Sequence, residues 1–392
     1  MDSKTRKRLL LFSLVEALYF AVFAITSYQT VFLQDKGLRS EQIGLIVSVS
    51  SMTGLVISPL WGIISDRLHS AKGTFLVTVS VSGVMYATMP LLGKLFGGSF
   101  AFFVVYIPAI FAFKQATNAM LDSWCVSELT PMGVSYGSAR LWGSIGYCVT
   151  SILLGAIVGV RLPINVAFYL IAPLLLLLFA ACGALRSEKK QSNVRDRTRN
   201  RGAICALLKN KQFVVYMIYA LGLNIYLAVT LIFMPYILEQ AGCEASQIGT
   251  VTGFRALMEI ISMFVGAKLS KRIPIKYILL LPGILFGIEH LCYPLAGGLP
   301  GMLCIMLLSG LAGGFFYSLG PSYIYEIVPP EVVNTAQTFN AMNLTVVSII
   351  GTAIGGIVIE AWGASTLTVA CGVFILTLTV LFGSSVWNEK KR

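Results

Sequence analysis

The stretch LQDKGLRSEQIGLIVSVSSMTGLVISPLWGIISDR, Leu33 to Arg67, decides the fold because the chain carries it twice. Moved on by 205 positions, it falls on LEQAGCEASQIGTVTGFRALMEIISMFVGAKLSKR, Leu238 to Arg272. Leu33, Gly37, Gln42, Ile43, Gly44, Ser65 and Arg67 then meet Leu238, Gly242, Gln247, Ile248, Gly249, Ser270 and Arg272 without a gap. Each copy reads as a short polar loop, the triplet QIG, an apolar run and a basic loop. A repeat of about half the chain is too long for a solenoid unit. It has the length of one half of a duplicated membrane bundle.

The composition agrees. Of 392 residues, 56% are hydrophobic and 12% charged, against about 25% charged in soluble domains. The mean hydropathy is +0.81. Backbone groups in lipid must bond within their own segment, and the apolar runs lack strand-like alternation, so the spans are helices. Twelve such runs follow one another, from 9–33 to 366–386. The first is too long for a signal-peptide core and continues without an A-x-A site. Twenty-two of the 29 basic residues fall in alternate segments and only four in the intervening ones. The positive-inside rule then puts both termini on the cytoplasmic side of a plasma (cytoplasmic) membrane. A net charge of +12 is thereby explained by topology and calls for no nucleic acid. The longest loop, 186–211, is basic. It divides an N-terminal six-helix half, 1–185, from a C-terminal one, 212–392. The eight cysteines form no C-x-x-C pair and read as small core residues.

Ionisable groups inside the spans carry the functional argument, because each costs about 2.5–3.5 kcal/mol in hydrocarbon unless it faces a cavity or a partner. The set is Glu16, Lys114, Asp122, Arg140, Arg255, Glu259, Glu289 and His290. Lys114, Asn118 and Asp122, spaced i, i+4, i+8, form one polar stripe on the fourth helix. Asp122 and Arg140 lie at comparable depth on consecutive helices and can pair. Arg255 and Glu259 can pair within the eighth helix. The plain alternative for each pair is a structural salt bridge. Two histidines, no H-E-x-x-H and no Walker motif offer no metal, cofactor or ATP site, and the chain reads as no enzyme.

The segment GIISDRLHSAK, Gly62 to Lys72, resembles the loop between the second and third helices of the major facilitator superfamily. That resemblance implies a cytoplasmic gate latch built on Gly62, Asp66 and Arg67. In the second copy Lys271 stands where Asp66 would, so the second latch is degenerate. YGSARLWGSIGY, Tyr136 to Tyr147, is similar to the fifth helix of the oligosaccharide–proton symporters and phenylpropionate permeases. Lactose permease has a glutamate–arginine pair at the separation of Asp122 from Arg140, and an aromatic residue where this chain has Tyr147. The likeness implies a substrate cavity lined by Asp122, Arg140 and Tyr147, with Asn118, Lys114, Tyr19 and Trp142 as further candidates. Trp142 is as readily a packing residue. The C-terminal half departs from the pattern. Glu289 replaces an expected arginine, Ser309 a histidine and Ala312 a titrating glutamate. A rewired proton network of Arg255, Glu259, Glu289 and His290, with Glu16 as a further acid, takes its place as a hypothesis.

The resemblance implies a monomeric secondary transporter that works by alternating access, with protons as the coupling ion and a sugar or an aromatic carboxylate as substrate. Sodium is the other coupling ion the oxygen ligands Asp122 and Asn118 can serve. The fifth helix lacks the proline-containing motif of drug antiporters, which favours uptake over efflux. A non-transporting membrane sensor is the other class.

Overall fold

The duplicated stretch folds the same way in both copies. In the computed structural model, Gly37 and Gly242 end the two equivalent helical segments with φ of 80° and 78°. A left-handed residue there suits glycine, which has no Cβ to clash. Gly37 N–H donates to Gln34 O at 2.9 Å, and Leu38 N–H to Leu33 O at 3.2 Å. Gly242 N–H donates to Glu239 O at 3.0 Å, and Cys243 N–H to Leu238 O at 2.8 Å. Leu33 and Leu238 are both fully buried. The motif therefore closes one helix, reverses the chain and starts the next.

The structure describes residues 3–68, 70–134, 136–158, 162–185, 207–329 and 332–389. Among them, twelve helices are long and apolar enough to cross a membrane. They are α1 (Thr5–Asp35), α2 (Ser40–Ser65), α3 (Ala71–Leu95), α4 (Phe100–Leu129), α5 (Ser138–Ile157), α6 (Ile164–Ala184), α7 (Lys211–Thr230), α8 (Ile248–Leu269), α9 (Ile275–Leu295), α10 (Gly298–Ile327), α11 (Thr335–Trp362) and α12 (Ala364–Trp387). The all-α membrane architecture read from the apolar runs is the one observed. Four spans are less regular than their sequence implies, among them α6, broken at Leu170, and α9, broken at Leu279. The helix of α1 stops at Thr26 and restarts at Gln29, and α7 ends in a π-helical turn, Tyr226–Thr230. The basic linker lies, up to residue 206, outside the described residues.

Contacts group Met1–Val194 with Ser246–Gly253 in one unit, and Arg195–Ala245 with Phe254–Arg392 in a second. In the first, α1 packs on α5 and α4 on both α2 and α3. In the second, α9 packs on α10 and α12. Hydroxyls inside the bundles mostly return to their own helix. Thr78 donates to Thr74 O at 3.0 Å, Thr117 to Phe113 O at 3.0 Å and Thr379 to Ile375 O at 2.8 Å. That satisfies them where water is absent.

Glycines set the closest approaches. A Cβ at Gly146 on α5 would stand 2.8 Å from Ala17 Cα and 2.9 Å from Ala17 C on α1. Backbone cannot yield as a side-chain tip can. Gly146→Ala is therefore expected to destabilise the protein by about 1–3 kcal/mol through overpacking, read as a lower melting temperature in detergent. An unchanged melting temperature would show that α1 and α5 are not held at this distance.

Candidate functional site

In the first unit, α1, α4 and α5 bring an acid and a base face to face. Glu16 is completely buried. Its Oε1 accepts the Cys125 thiol at 3.4 Å, and its Oε2 has no hydrogen-bond partner. The Arg140 guanidinium lies 4.0 Å from the centre of the Phe20 ring, and its Nη1 is also buried without a partner. Gly143 makes this possible. A Cβ there would meet Phe20 at 2.7 Å, Arg140 Nη1 at 2.9 Å and Glu16 Oε2 at 3.2 Å. Asn118 Nδ2 donates to Asp122 Oδ2 at 3.0 Å, and Asn118 Oδ1 is left without a partner. Glu16 lies within electrostatic range of both Arg140 and Asp122.

This group therefore holds one cation, two acids and an amide, with an orphaned donor and orphaned acceptors among them. Tyr147 lies two helical turns beyond Arg140 on the same face. Its hydroxyl sits 3.3 Å from Ser27 Oγ, and its ring tilts against Phe23. Tyr19 is buried edge-on to Phe20 and Phe75. Trp142 separates from the group. Two residues from Arg140 is about 200° around a helix, and Trp142 is 46% exposed beside the exposed Val149 and Leu153 of its own face. Phe20, Gly143 and Cys125 were not singled out in the sequence. Gly143 and Cys125 follow Arg140 and Asp122 by three residues, so the helical period carried a signal for both.

Lys114 occupies a different niche. Its Nζ donates to Thr26 Oγ1 at 3.1 Å and to Tyr86 Oη at 3.2 Å. It lies 5.0, 5.2 and 5.0 Å from the ring centres of Phe23, Tyr86 and Phe111. Among the described residues no carboxylate forms an ion pair with it. Ring faces stabilise a cation and repel an anion. Lys114→Met, which keeps the volume and the ring contacts, is expected to cost less than about 1.5 kcal/mol. Lys114→Glu is expected to cost several kcal/mol. Melting curves of the two variants check this, and a Met variant that melts as low as the Glu variant would refute it.

The second unit holds another charged cluster. Arg255 Nη1 pairs with Glu259 Oε2 at 2.8 Å, as the i, i+4 spacing allows. The guanidinium lies 4.4 Å from the Tyr226 ring centre, so the π-helical turn supplies the platform under it. Glu289 is completely buried and accepts a hydrogen bond from Tyr293 at 2.5 Å. Arg255 and Glu289 lie within electrostatic range of each other. His290 is engaged at both ring nitrogens, with Phe286 O at 2.7 Å and Thr230 Oγ1 at 2.8 Å. The bond to Thr230 orders α7 against α9. Among the described residues no group of three or more metal-ligating side chains occurs. Gly62 has open space around it and Arg67 is exposed at the end of the helix Ser40–Leu68. The latch role of Asp66 rests on a side chain outside those described.

Residues 10–369 match the family described as "MFS_1 like family". The chain belongs to that family. It is 25% identical over 384 residues to the maltose permease of Geobacillus stearothermophilus, covering 95% of this chain and 94% of that one. It is 24% identical over 384 residues to a putative sugar efflux transporter of Deinococcus radiodurans, covering 92% of each. The crystal structure of the nucleoside transporter NupG superposes with a TM-score of 0.78 at 19% identity, covering 96% of this chain and 98% of that one. At that identity the superposition establishes the fold alone. The chain is a multi-pass membrane transporter of the major facilitator type, and its relatives are transporters rather than enzymes.

Proposed function

We propose that this transporter is a proton-coupled symporter that takes up a sugar, with Arg140, Asp122, Asn118 and Glu16 contacting its hydroxyls and Tyr147 and Tyr19 flanking the ring. The observation that carries the reading is the Gly143 cradle, where Arg140 Nη1 and Glu16 Oε2 lie buried and unpartnered side by side. A donor and an acceptor left free at one place match a hydroxyl, which accepts from one and donates to the other. Likeness to a maltose permease supports the sugar class. The family's alternating-access cycle, with N-terminal residues 1–185 and C-terminal residues 212–392 as its two moving halves, both termini cytoplasmic and a monomer sufficient, completes the reading. Efflux is the second reading, favoured by the relative named as a sugar efflux transporter.

Counterflow in proteoliposomes tests the function. Liposomes preloaded with maltose, sucrose or raffinose are expected to take up the labelled sugar in at least one case, and counterflow of uridine alone would refute the sugar reading. An acid-outside pH gradient then separates the directions. It drives accumulation in a symporter and depletion in a proton antiporter. No counterflow with any of the four, in protein that stays folded, would refute the sugar reading.

A further inference from the structure

The second copy of the repeat has changed its chemistry at the end of α8. Ile63, Asp66 and Arg67 of the first copy carry no net charge, and Lys268, Lys271 and Arg272 at the matching positions carry three positive charges. All three are exposed. Among the described residues no carboxylate forms an ion pair with any of them. Arg272 N–H donates to Leu269 O at 2.9 Å, so the turn keeps Lys271 and Arg272 against the helix end. With Val265 and Leu269, the three cations line a surface pocket of about 440 Å³. The pocket ends a single stripe along α8. Leu257, Ile261, Phe264, Val265 and Lys268 follow i, i+4, i+7, i+8, i+11, which is one face of a helix. The four apolar members are 42%, 47%, 61% and 47% exposed. A different face of α8 is the packed one. Ser262 Oγ donates to Gly310 O at 3.1 Å, and a Cβ at Gly266 would stand 3.2 Å from the Phe315 ring.

We infer that Lys268, Lys271 and Arg272 form a headgroup site for an anionic phospholipid, with Ile261, Phe264 and Val265 as the bed of one acyl chain. The guanidinium offers a planar fork to phosphate oxygens, and the two ammonium groups act as point charges beside it. A free phosphate ester carries the same anion. The exposed apolar stripe that runs into the pocket favours the lipid, because a soluble ester has nothing to lay along it. A zwitterionic headgroup brings a cation of its own to three others and is the poorer fit. In the proposed topology this end of α8 lies at the cytoplasmic surface, the side on which anionic lipids draw basic clusters. The inference stands apart from the sugar reading, since none of these residues belongs to the substrate group around Arg140.

Titration of fluorescent phosphatidylglycerol into the full chain in detergent tests it. Each basic residue beside an anionic lipid is worth about fivefold in affinity. The parent is therefore expected to bind phosphatidylglycerol at least about tenfold tighter than phosphatidylcholine with the same chains. Lys268→Gln/Lys271→Gln/Arg272→Gln is expected to bind the two lipids alike. Lys271→Asp, which restores the acid of the first copy, is expected to cost about fivefold or more on its own, and Lys271→Arg to keep the parent's affinity. Arg6→Gln/Lys7→Gln/Lys209→Gln removes the same charge from other exposed positions and is expected to bind as the parent does. The site is refuted if the parent binds both lipids equally, if the first triple variant stays within about twofold of the parent, or if the second triple variant loses as much. Glycerol phosphate that displaces the lipid at matching concentration would make the ligand a soluble phosphate ester and overturn the lipid assignment.

Discussion

Arg140→Ala is expected to weaken sugar binding by a hundredfold or more and to silence counterflow. Arg140 is the cation within electrostatic range of the buried Glu16, and Asp122 is a second acid in the same range. Removing the guanidinium deletes its hydrogen bonds to the ligand and takes a counter-charge from the buried Glu16. A lost charge-assisted bond costs about 1.5–3 kcal/mol, and an uncompensated buried charge about 3–5 kcal/mol. Every 1.4 kcal/mol is tenfold in affinity. Part of that loss will fall on stability, so Arg140→Lys is the informative companion. Lysine restores the charge but not the planar fork that lies on Phe20. Its melting temperature is expected near the parent's, with affinity still at least tenfold lower. Calorimetry beside melting curves separates the two effects. An alanine variant that binds within threefold of the parent would remove Arg140 from the site.

The Gly143 cradle marks how far sequence reasoning reaches. Hydropathy, the repeat and the positive-inside pattern were enough to give twelve spans, because lipid leaves the backbone no option except a helix. Gly37 and Gly242 were legible as a matched pair, and both close a helix with positive φ. Asp122 and Arg140 were legible as costly groups inside spans. Their neighbours were less so. Helical period says which residues share a face but not which helix covers it. Glu16 was visible as a buried acid, yet its place beside Arg140 depends on α1 packing on α5 through Gly143 and Gly146. Trp142 looked as suitable as Tyr147 by residue type alone, and the period puts it on the opposite side. The π-helical turn under Arg255 left no mark, since YLAVT has no proline or glycine to betray it. Tyr317, one of three tyrosines in the glycine-rich α10, stands out only because its buried hydroxyl has no partner.

The double variant Glu259→Gln/Glu289→Gln is expected to lose pH-driven accumulation while it still exchanges sugar. Energy coupling needs a group that changes protonation during the cycle. Exchange does not, because it runs downhill on the substrate alone. Glu259 is tied to Arg255 at 2.8 Å. Glu289 has a hydroxyl donor, Tyr293, and among the described residues no cation in ion-pair contact. It can therefore take up and release a proton without breaking a salt bridge, and Arg255 can answer by shifting between the two acids. The sign is fixed by the direction of the gradient. With acid outside, protons running inward drive a symporter toward accumulation, and one pH unit supports at most about tenfold for one proton per sugar. The parent is expected to approach that ratio and the double variant to stop at equal concentrations, both with similar counterflow. The single variants rank the two acids. Glu289→Gln alone is expected to reproduce the double variant, and Glu259→Gln to fall between it and the parent. Accumulation by the double variant at the parent's level would move coupling out of the second unit. Glu16, the remaining buried acid, would then be next to test.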